Sequence, residues 1–378
     1  MTASVLPDPD LTAFEFFAGG GLAGLGLEGF RVTFSNDIDR AKAASWQANH
    51  RGTFQLGDIR DLTVDDLPGQ PDLVWASSPC QDVSLAGARG GLAARRSGTF
   101  WDFWRLIQGL DRQGRGPRAI VIENVVGLLT SGQGRDFAAI CSALVEAGYR
   151  AGALEMDAAL WLPQSRPRLF IVALRDSGTA APSRPAGPFH TRRLIAAHGG
   201  LPRTVKARWA WWHVTPPSRR NLDVGALLEP DDTSQWLEQA DLEHLLGLLA
   251  PLHRDRLETA RISGERRVAT GFRRVRAEAG IRVQRLELRF DGLAGCLRTP
   301  SGGSSRQYVL VCDEGRVRAR RLSGREAARL MGLPDTYVLP NGETAALKLM
   351  GDAVAVPVVR ALAEGLLRPA LAPGRIAA

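Results

Sequence analysis

The chain has 378 residues, of which 44% are hydrophobic and 23% charged, as is ordinary for a soluble globular protein, and this length predicts two domains. It shows no signal peptide and no run of about 18 apolar residues, so we expect neither a secreted nor a membrane-spanning protein. The net charge of +8 favours an anionic partner such as nucleic acid.

The basic charge is concentrated in one part of the chain. Residues 251–330 contain 19 arginines and nine acidic residues, a larger surplus than that of the whole chain. A genome rich in G and C favours arginine by itself, so the concentration is more informative than the choice of arginine. It predicts that this region faces the anionic partner.

The first half of the chain alternates short apolar strands with amphipathic helices, a pattern typical of a parallel α/β sheet. The predicted strands are Ala13–Phe17, Val32–Asn36, Asp72–Trp75, Ala119–Ile122 and Arg168–Leu174. The predicted helices are Leu22–Glu28, Arg40–Asn49, Phe100–Leu110 and Arg135–Ala147.

The second half begins after a linker that we predict at Asp176–Pro188, which is rich in Ala, Pro, Gly and Ser. The βα alternation is lost there. The patterns that follow predict a helix at Ser234–Arg261, strands at Val283–Phe290 and Tyr308–Cys312, and helices at Gly324–Met331 and Val354–Leu367.

Four cysteines form neither a CxxC pair nor a zinc spacing, which predicts no metal site and fits a reducing cytoplasm. Cys141 and Cys312 lie in helix and strand patterns and are expected to pack in cores. Cys80 differs, because it follows the predicted strand Asp72–Trp75 in a turn stiffened by Pro79. The ends of parallel strands are where α/β sheets bind ligands. On this segment alone, a nucleophile and a small buried hydrophobe are equally good readings.

A glycine-rich turn follows the first predicted strand and precedes a helix. Phe17, Gly19 and Gly21 belong to it, and such a turn lets the backbone approach a ligand at the helix N-terminus, although a tight turn without a ligand looks the same. Asp37 and Asp58 end the next two strand-like stretches. Each could be only a helix cap, but acids at successive strand ends after a glycine turn favour a nucleoside cofactor.

A carboxylate also ends the predicted strand Ala119–Ile122. Burial of Glu123 there would raise its pKa and let it hold a proton near neutral pH, and a capping role is an equal alternative. Arg166 and Arg168 stand two residues apart, so in an extended chain they would face the same side. They could hold a carbonyl or phosphate in a cleft, or be solvated on a surface.

Together, these segments resemble the DNA cytosine-5 methyltransferases over nearly the whole chain. The matching motifs are, in chain order, Phe17-Ala18-Gly19-Gly20-Gly21, Pro79-Cys80-Gln81, Glu123-Asn124-Val125, Gln164-x-Arg166-x-Arg168, Arg325 to Asp335 and Gly351-Asp352-Ala353-Val354. The resemblance implies an α/β fold: a doubly wound, Rossmann-like S-adenosylmethionine methyltransferase domain with a smaller, mixed target-recognition domain. We expect the first at residues 1–177 plus 344–378 and the second at residues 178–343.

The resemblance also implies a mechanism. The Cys80 thiolate would add to C6 of a flipped cytosine, because C5 is too weak a nucleophile until that addition makes an enamine. Glu123 would protonate or hydrogen-bond N3 and the exocyclic amine. Arg168, assisted by Arg166, would hold O2. Methyl transfer from S-adenosylmethionine to C5, loss of the C5 proton and elimination of Cys80 would complete the turnover.

The cofactor positions follow from the same motifs. The implied S-adenosylmethionine-binding residues are Phe17, Gly19, Gly21, Asp37, Ile38, Asp58, Ile59, Asp352 and Ala353. Ile38 would pack on the adenine, where relatives often carry an aromatic residue. Asp352 stands where an asparagine is frequent, which leaves open how the polar end of the cofactor is held.

Double-stranded DNA is the partner that the resemblance implies. Gln81 and Ser84 are expected to contact it, since the Ser84–Gly91 stretch resembles the family's mobile catalytic loop. Two segments of the small domain are candidate DNA-contacting loops, and phosphate binding without base readout is an equal alternative for each arginine. The candidates within them are Arg273, Arg274, Arg298, Ser301, Gly302, Gly303, Ser304 and Arg306. The cluster Trp209-Ala210-Trp211-Trp212 is expected in the small-domain core rather than as a stacking platform.

We therefore expect a sequence-specific DNA cytosine-5 methyltransferase, a monomer located in the cytoplasm at the nucleoid. The recognition sequence and any cognate restriction endonuclease stay open. One alternative is a transfer RNA cytosine-5 methyltransferase, although the Cys-Phe-Thr signature of that branch is absent. Another is a catalytically dead DNA-binding regulator, which the intact Cys80, Glu123, Arg166 and Arg168 argue against.

Overall fold

The computed structural model of the protein describes residues 11–79, 98–175, 181–218, 220, 222–278, 280–299 and 306–372. The chain divides into two compact units. Unit 1 consists of Met1–Asp157, Pro167–Pro216 and Val356–Ala378, and unit 2 of Ala158–Arg166 and Pro217–Ala355.

The two units contain all the described helices and strands. The strands are β1 (Leu11–Phe16), β2 (Phe30–Asp37), β3 (Thr53–Leu56), β4 (Leu73–Ser77), β5 (Ala119–Val125), β6 (Arg150–Asp157), β7 (Pro167–Leu174), β8 (Arg267–Glu278), β9 (Ile281–Arg289), β10 (Tyr308–Asp313) and β11 (Arg316–Arg321). The α-helices are α1 (Leu22–Gly26), α2 (Arg40–Asn49), α3 (Thr99–Arg112), α4 (Arg135–Glu146), α5 (Arg192–Gly199), α6 (Arg203–Ala207), α7 (Gln239–Gly247), α8 (Pro251–Ile262), α9 (Gly324–Arg329), α10 (Glu343–Asp352), α11 (Val356–Leu362) and α12 (Arg368–Leu371). None of these helices is long and apolar enough to cross a membrane.

Unit 1 is built on a seven-stranded sheet in the order β3-β2-β1-β4-β5-β7-β6. Neighbouring strands among β1 to β5 pair in parallel, as the sequence predicts. The central strands are apolar runs that are fully buried, as expected for strands covered on both faces. The predicted α/β class with a smaller mixed unit is therefore confirmed.

The far edge of this sheet departs from a purely parallel arrangement. Strand β6, which the sequence analysis missed, pairs with β7, and β7 pairs with β5, both in antiparallel fashion. Only residues 158–166 connect β6 to β7, too few for the crossover of a dozen or more residues that parallel strands require. The reversal places the start of β7 at the same sheet edge as the end of β5.

The last helices return to unit 1. Helix α11 packs on α1, where a Cβ atom at Gly26 would lie 2.5 Å from Cβ of Val359. A glycine at this position therefore allows the two helices to approach closely. The predicted helix Val354–Leu367 is observed as α11 followed by a short π-helical stretch, Ala363–Leu367.

Residues around the tryptophan cluster belong to unit 1, not to the small domain where the sequence analysis placed them. The N–H of Ala210 donates to the carbonyl of Ala151 at 2.8 Å, and Nε1 of Trp212 donates to the carbonyl of Val172 at 2.8 Å. Trp211 and Trp212 are buried, so the cluster is core, as expected, but it extends the core of the large sheet. The two units meet at 157/158, 166/167, 216/217 and 355/356, whereas the sequence suggested borders at 177/178 and 343/344.

Unit 2 contains a four-stranded antiparallel sheet in the order β11-β10-β8-β9. Helices α7 and α8 pack on it through a core that includes Leu245, Leu257 and Leu310. The sequence predicted one helix at Ser234–Arg261, and the structure shows two. The second begins with Pro251, which has no backbone N–H to continue the preceding helix and is suited to a first helical position.

Two of the four cysteines are packing residues, as predicted. Cys141 on α4 and Cys312 on β10 are 0% and 1% exposed. Burial raises the pKa of Cys312 to about 11 and also raises the pKa of Cys141, so neither thiol is a nucleophile near neutral pH.

Candidate active site

The candidate site lies at the carboxyl edge of the unit 1 sheet. Strands β1 and β4 are neighbours, and the chain adds β2 and β3 on the β1 side of the sheet and β5 on the β4 side. The carboxyl ends of β1 and β4 therefore mark the switch point, where open α/β sheets bind ligands. The glycine turn follows β1 there. Ser78 and Pro79 follow β4, and Cys80 comes next in the chain.

The glycine turn has the backbone that its sequence suggests. Phe17, Gly19 and Gly21 have φ angles of 56°, 57° and 79°, in the left-handed region that glycine adopts readily and phenylalanine rarely. The N–H of Gly19 donates to Oδ2 of Asp37 at 2.8 Å, and Oδ1 of Asp37 accepts from the N–H of Asp39 at 2.8 Å. Asp37, at the end of β2, thus fixes the turn that follows β1.

His50 is a positioning residue that the sequence analysis missed. Its Nε2–H donates to the carbonyl of Gly20 at 3.0 Å, and its ring stacks on Trp46 with ring centroids 5.2 Å apart. A Cβ atom at Gly21 would lie 2.3 Å from Nε2 of His50. Burial lowers the pKa of His50, which keeps the ring neutral. No local pattern reveals this role, because the contact depends on how α2 packs against the turn.

Glu15 was also missed, although an acid inside the apolar strand Ala13–Phe17 was a usable signal. Its side chain is buried in β1, and its Oε2 atom has no hydrogen-bond partner within the described part of the chain. Burial raises the pKa of Glu15 to about 8; the N–H groups of Gly24 and Ala23 act in the opposite direction, and the charge of Asp37 adds to the rise. A carboxyl group beside the glycine turn is therefore poised to exchange its proton near neutral pH.

The remaining predicted cofactor residues of unit 1 differ in exposure and in their contacts. The Ile38 side chain is 67% exposed, so an apolar surface follows β2. Ile59 is 3% exposed and lies in the main hydrophobic core, which leaves only its backbone for a ligand. Asp58 caps a short 3₁₀ helix and pairs with Arg60, and its hydrogen bonds to Arg60 lower the pKa of its carboxyl.

The segment before Cys80 is held by the neighbouring strand. Nδ2 of Asn124 donates to Oγ of Ser78 at 3.1 Å, and both residues are buried. Ser77 lies opposite Glu123 in the pairing of β4 with β5. The chain therefore leaves the sheet beside Glu123 three residues before the predicted nucleophile.

Glu123 and Arg168 form an ion pair at this edge. Nε of Arg168 lies 3.1 Å from Oε1 of Glu123, and their side chains are 15% and 8% exposed. The two residues come from adjacent strands, since β7 runs antiparallel to β5 and begins at the edge where β5 ends. Two of the predicted catalytic residues are thus brought together on adjacent strands.

Arg166 precedes strand β7, and its predicted role of assisting Arg168 stays a prediction. The antiparallel strand begins at Pro167, so Arg166 precedes it and belongs to unit 2, and the expected shared face of an extended chain is not formed. Arg166 is 1% exposed. Its guanidinium donates to three carbonyls, those of Leu297, Gly351 and Ala353 at 3.0, 2.8 and 2.5 Å. These contacts indicate that Arg166 holds together segments of unit 2.

Gln164 has the same kind of role in unit 2. Its Nε2 donates to the carbonyl of Leu330 at 2.7 Å, and its Oε1 accepts from the N–H of Leu297 at 3.2 Å. Gln164 is fully buried. Of the three polar positions in the motif, only Arg168 belongs to unit 1.

The last predicted cofactor motif lies in unit 2. Oδ1 of Asp352 accepts from Oγ1–H of Thr299 at 2.8 Å, so a threonine partner accompanies the carboxylate. The carbonyl of Ala353 accepts from Arg166. A Cβ atom at Gly351 would lie 2.5 Å from the N atom of Thr299, which shows how closely the two segments approach.

The predicted DNA-contacting residues also lie in unit 2, where the structure describes them. Arg273 and Arg274 are on strand β8, not in a loop, because residues 270–278 pair with β9. Arg298 lies outside the helices and strands, and Nη2 of Arg306 lies 3.8 Å from Oε2 of Glu343. The predicted site residues outside the described part of the chain are Cys80, Gln81, Ser84, Ser301, Gly302, Gly303 and Ser304.

Comparison with known proteins identifies one family. The family described as C-5 cytosine-specific DNA methylase matches residues 11–208 and 257–368. The chain is 28% identical over 357 residues to the type II methyltransferase M.NlaX of Neisseria lactamica, which covers 93% of this chain and 94% of M.NlaX. It is 26% identical over 379 residues to M.HpaII of Haemophilus parainfluenzae, which covers 94% and 89% of the two chains.

Solved structures show the same fold. The S. pombe Dnmt2 methyltransferase has a TM-score of 0.61 at 17% identity, covering 95% of this chain and 99% of its own. The Entamoeba histolytica methyltransferase EhMeth has a TM-score of 0.63 at 14% identity, covering 95% and 98%. At these identities the similarity concerns the fold alone.

Proposed function

Because the chain belongs to the C-5 cytosine-specific DNA methylase family, which confirms the resemblance in its motifs, we propose that it methylates cytosine C5 within a specific sequence of double-stranded DNA by covalent catalysis from Cys80. The observation that carries the mechanism is the Glu123–Arg168 pair at the carboxyl edge of the sheet, 3.1 Å apart. The chain reaches Cys80 from the strand beside it.

The methyl donor of the proposal is S-adenosylmethionine, and the residues present fit it. When bound, it supplies an electrophilic methyl group. The left-handed glycine turn allows close approach of backbone, and Ile38 offers an exposed apolar surface for an adenine. Asp37 places a carboxylate beside the turn, which favours a cationic ligand, and the buried Glu15 adds a carboxyl group that is protonated in the chain without a ligand. Phe17, Gly19 and Gly21 would contact it through the turn.

The protein residues would divide the chemistry. The Cys80 thiolate forms an S–C6 bond, and the electron pair moves toward C5 and N3 of the ring. Glu123 hydrogen-bonds or protonates N3 and hydrogen-bonds the exocyclic amine, and Arg168 holds O2 while keeping Glu123 in place. After C5 receives the methyl group, the C5 proton is lost to a base and the S–C6 bond breaks.

Duplex DNA hides C5 and C6 from such an attack, so the target base must leave the stack. The arginine-rich unit 2 is the proposed source of sequence recognition, with contacts to phosphate and to base edges. Arg166 would act on this unit from within, by fixing the segments that contain Leu297 and Asp352.

Methyl transfer from S-[methyl-³H]adenosylmethionine tests the function. We expect label in duplex DNA and none in transfer RNA, and we expect methylome sequencing of a host that expresses the chain to show 5-methylcytosine at one recurrent motif. Label in transfer RNA alone would contradict the substrate, and methylation at no recurrent motif would contradict sequence specificity. A catalytically dead regulator would bind DNA and transfer no methyl group.

A further inference from the structure

Glu15 lies on the face of the unit 1 sheet opposite to the main hydrophobic core. Its neighbours in β1, Phe14 and Phe16, belong to that core, and side chains alternate between the two faces of a strand. Glu15 therefore points towards α1. A Cβ atom at Gly24, in the first turn of α1, would lie 2.9 Å from Oε2 of Glu15. Glycine at this position thus leaves the space that the carboxyl group occupies.

The surroundings of this carboxyl group favour its protonated form. Glu15 is 2% exposed, and its Oε2 atom has no hydrogen-bond partner within the described residues. No basic side chain forms an ion pair with Glu15 in that part of the chain. A buried carboxylate without a cation is costly, so such a group holds its proton instead. The pKa of about 8 that burial gives Glu15 agrees with this geometry.

The strands beside β1 and the end of α2 bring a negative charge towards Glu15 rather than a cation. Ser35 of β2 and Trp75 of β4 lie opposite Glu15 and carry no charge. The charge of Asp37, at the end of β2, adds to the rise in the pKa of Glu15. His50, which follows α2, is kept neutral because burial lowers its pKa. A carboxylate at Glu15 would therefore face a second negative charge.

The helices on this face do not supply the missing cation either. Helix α1 has no acidic residue in its first turn and no basic residue in its last. The backbone N–H groups of Ala23 and Gly24 lower the pKa of Glu15, but by less than burial raises it. Helix α11 packs on α1, and its Arg360 pairs with Glu28. A ligand is thus the remaining source of positive charge for Glu15 beside the described residues.

We propose that Glu15 couples cofactor binding to proton release. Glu15 holds a proton in the chain without cofactor, and binding of the positively charged S-adenosylmethionine at the glycine turn makes it release that proton to the solvent and become a carboxylate. This proposal rests on the proposed function, which makes S-adenosylmethionine the ligand. Glu15 thereby favours a positively charged ligand over a neutral one at this site.

The coupling follows from the charges on either side of the binding step. Without cofactor, protonation of Glu15 avoids two neighbouring negative charges, because Asp37 already accepts the N–H of Gly19 in the turn. A positive charge brought to the turn acts on both acids and favours the carboxylate form of Glu15. Because binding then releases a proton, the affinity must rise with pH wherever the chain without cofactor still holds that proton.

Isothermal titration calorimetry of the full-length chain with S-adenosylmethionine counts the released protons. The binding enthalpy near pH 7 is measured in phosphate, HEPES and Tris buffers, and its slope against the ionisation enthalpy of the buffer gives the number released. We expect wild type to release about one proton more than Glu15→Gln, which has no proton to lose at this position. The amino group of the cofactor itself titrates near pH 7.7–8.0, so the difference between the two chains is the diagnostic quantity.

The pH dependence of the dissociation constant provides a second readout. Glutamine resembles the protonated glutamic acid at every pH, so the two chains should bind with similar Kd near pH 6. The ratio of the Glu15→Gln Kd to the wild-type Kd should then grow by up to about tenfold per pH unit and level off above about pH 8, the pKa of Glu15. A ratio that does not change with pH would overturn the proposal.

A second acid and a neutral ligand provide matched controls. Glu155 is also buried in a strand of unit 1, but it pairs with Arg193 on β6, four strands away from β1. Glu155→Gln should therefore release as many protons as wild type. 5′-Methylthioadenosine lacks both positive charges of the cofactor, and wild type and Glu15→Gln should release equal numbers of protons on binding it. Equal release by these two chains with S-adenosylmethionine, or an equal loss in Glu15→Gln and Glu155→Gln, would overturn the proposal.

Methyl transfer separates this proposal from the proposed function. A chain that methylates duplex DNA but releases no proton from Glu15 would keep the proposed function and overturn the coupling. A chain that shows the Glu15-dependent release but transfers no methyl group would support the coupling and overturn the proposed function. Failure of the wild-type chain to bind S-adenosylmethionine would overturn both.

Discussion

Nε of Arg168 lies 3.1 Å from Oε1 of Glu123, and the register of two antiparallel strands creates this pair. Arg168 is directly opposite Val125, two residues beyond Glu123 on β5. Glu123 and Arg168 are therefore diagonal neighbours on one face of the sheet, within reach of long side chains. The reversed direction of β7 thus places a cation beside the carboxylate at the strand end.

Replacing Glu123 with glutamine tests the role of this carboxylate. Glutamine keeps the size of the side chain but removes the acidic proton and the charge. We expect the rate of methyl transfer to fall about 10²- to 10⁴-fold, the usual contribution of a positioned acid or base. Affinity for S-adenosylhomocysteine, measured by calorimetry, should stay within about twofold as a control on folding. A Glu123→Gln rate within threefold of wild type would contradict the role.

Substitutions should distinguish the roles of Arg166 and Arg168. Arg166→Met leaves buried carbonyls of Leu297, Gly351 and Ala353 without a donor, and each such loss costs about 1–3 kcal/mol. We expect a lower midpoint of urea unfolding. Arg168→Met, at a more exposed position, should lower methyl transfer and leave the midpoint nearly unchanged. The reverse pattern would show that Arg166 is the residue that holds the base.

Glu15 predicts a pH dependence of stability. Its pKa is about 8 in the folded chain and usually 4.5, so the folded state holds a proton that the unfolded state has released. Stability from this group is full below about pH 4.5 and is lost as pH rises through about 8, by up to about 1.4 kcal/mol per pH unit. The free energy of unfolding of wild type minus that of Glu15→Gln should fall across this window. A difference independent of pH would contradict the buried, protonated carboxyl.

Replacing His50 tests whether its contact with the glycine turn supports cofactor binding. His50→Phe keeps an aromatic ring against Trp46 but removes the N–H that binds the carbonyl of Gly20. A loosened glycine turn should weaken S-adenosylhomocysteine binding by about three- to tenfold, consistent with one hydrogen bond of about 1 kcal/mol. His198→Phe, which alters another histidine packed on tryptophans, provides the control and should bind normally. Equal weakening in both variants would argue against a specific contact.

The sequence was sufficient for the parts of the fold that local patterns encode. The apolar strands β1, β4 and β5 and their helices were predicted because strands buried on both faces are continuous hydrophobic runs. The split between α7 and α8 was missed, although Pro251 marks it. Strand β8 was missed because its arginines show no apolar alternation, and only pairing with β9 makes this segment a strand.

The sequence predicted residues of the candidate site but only part of their arrangement. Glu123 and Arg168 were both expected to act on the base, and they do lie together. Arg166 was grouped with them because i and i+2 share a face in a strand, but the strand begins one residue later. Which residues stand at a strand's first position depends on pairing with distant segments, which a local pattern does not contain.

The covalent role of Cys80 is the central claim, and a mechanism-based trap tests it most directly. DNA amplified with 5-fluoro-2′-deoxycytidine triphosphate would carry the modified base at every cytosine, including those of the unknown recognition sequence. Fluorine at C5 cannot leave as the proton does, so elimination is blocked after methyl transfer. With S-adenosylmethionine present, we predict a wild-type protein–DNA adduct that survives denaturing electrophoresis and is absent for Cys80→Ser. An adduct that persists in Cys80→Ser, or no adduct from a wild-type chain that methylates ordinary DNA, would contradict the claim.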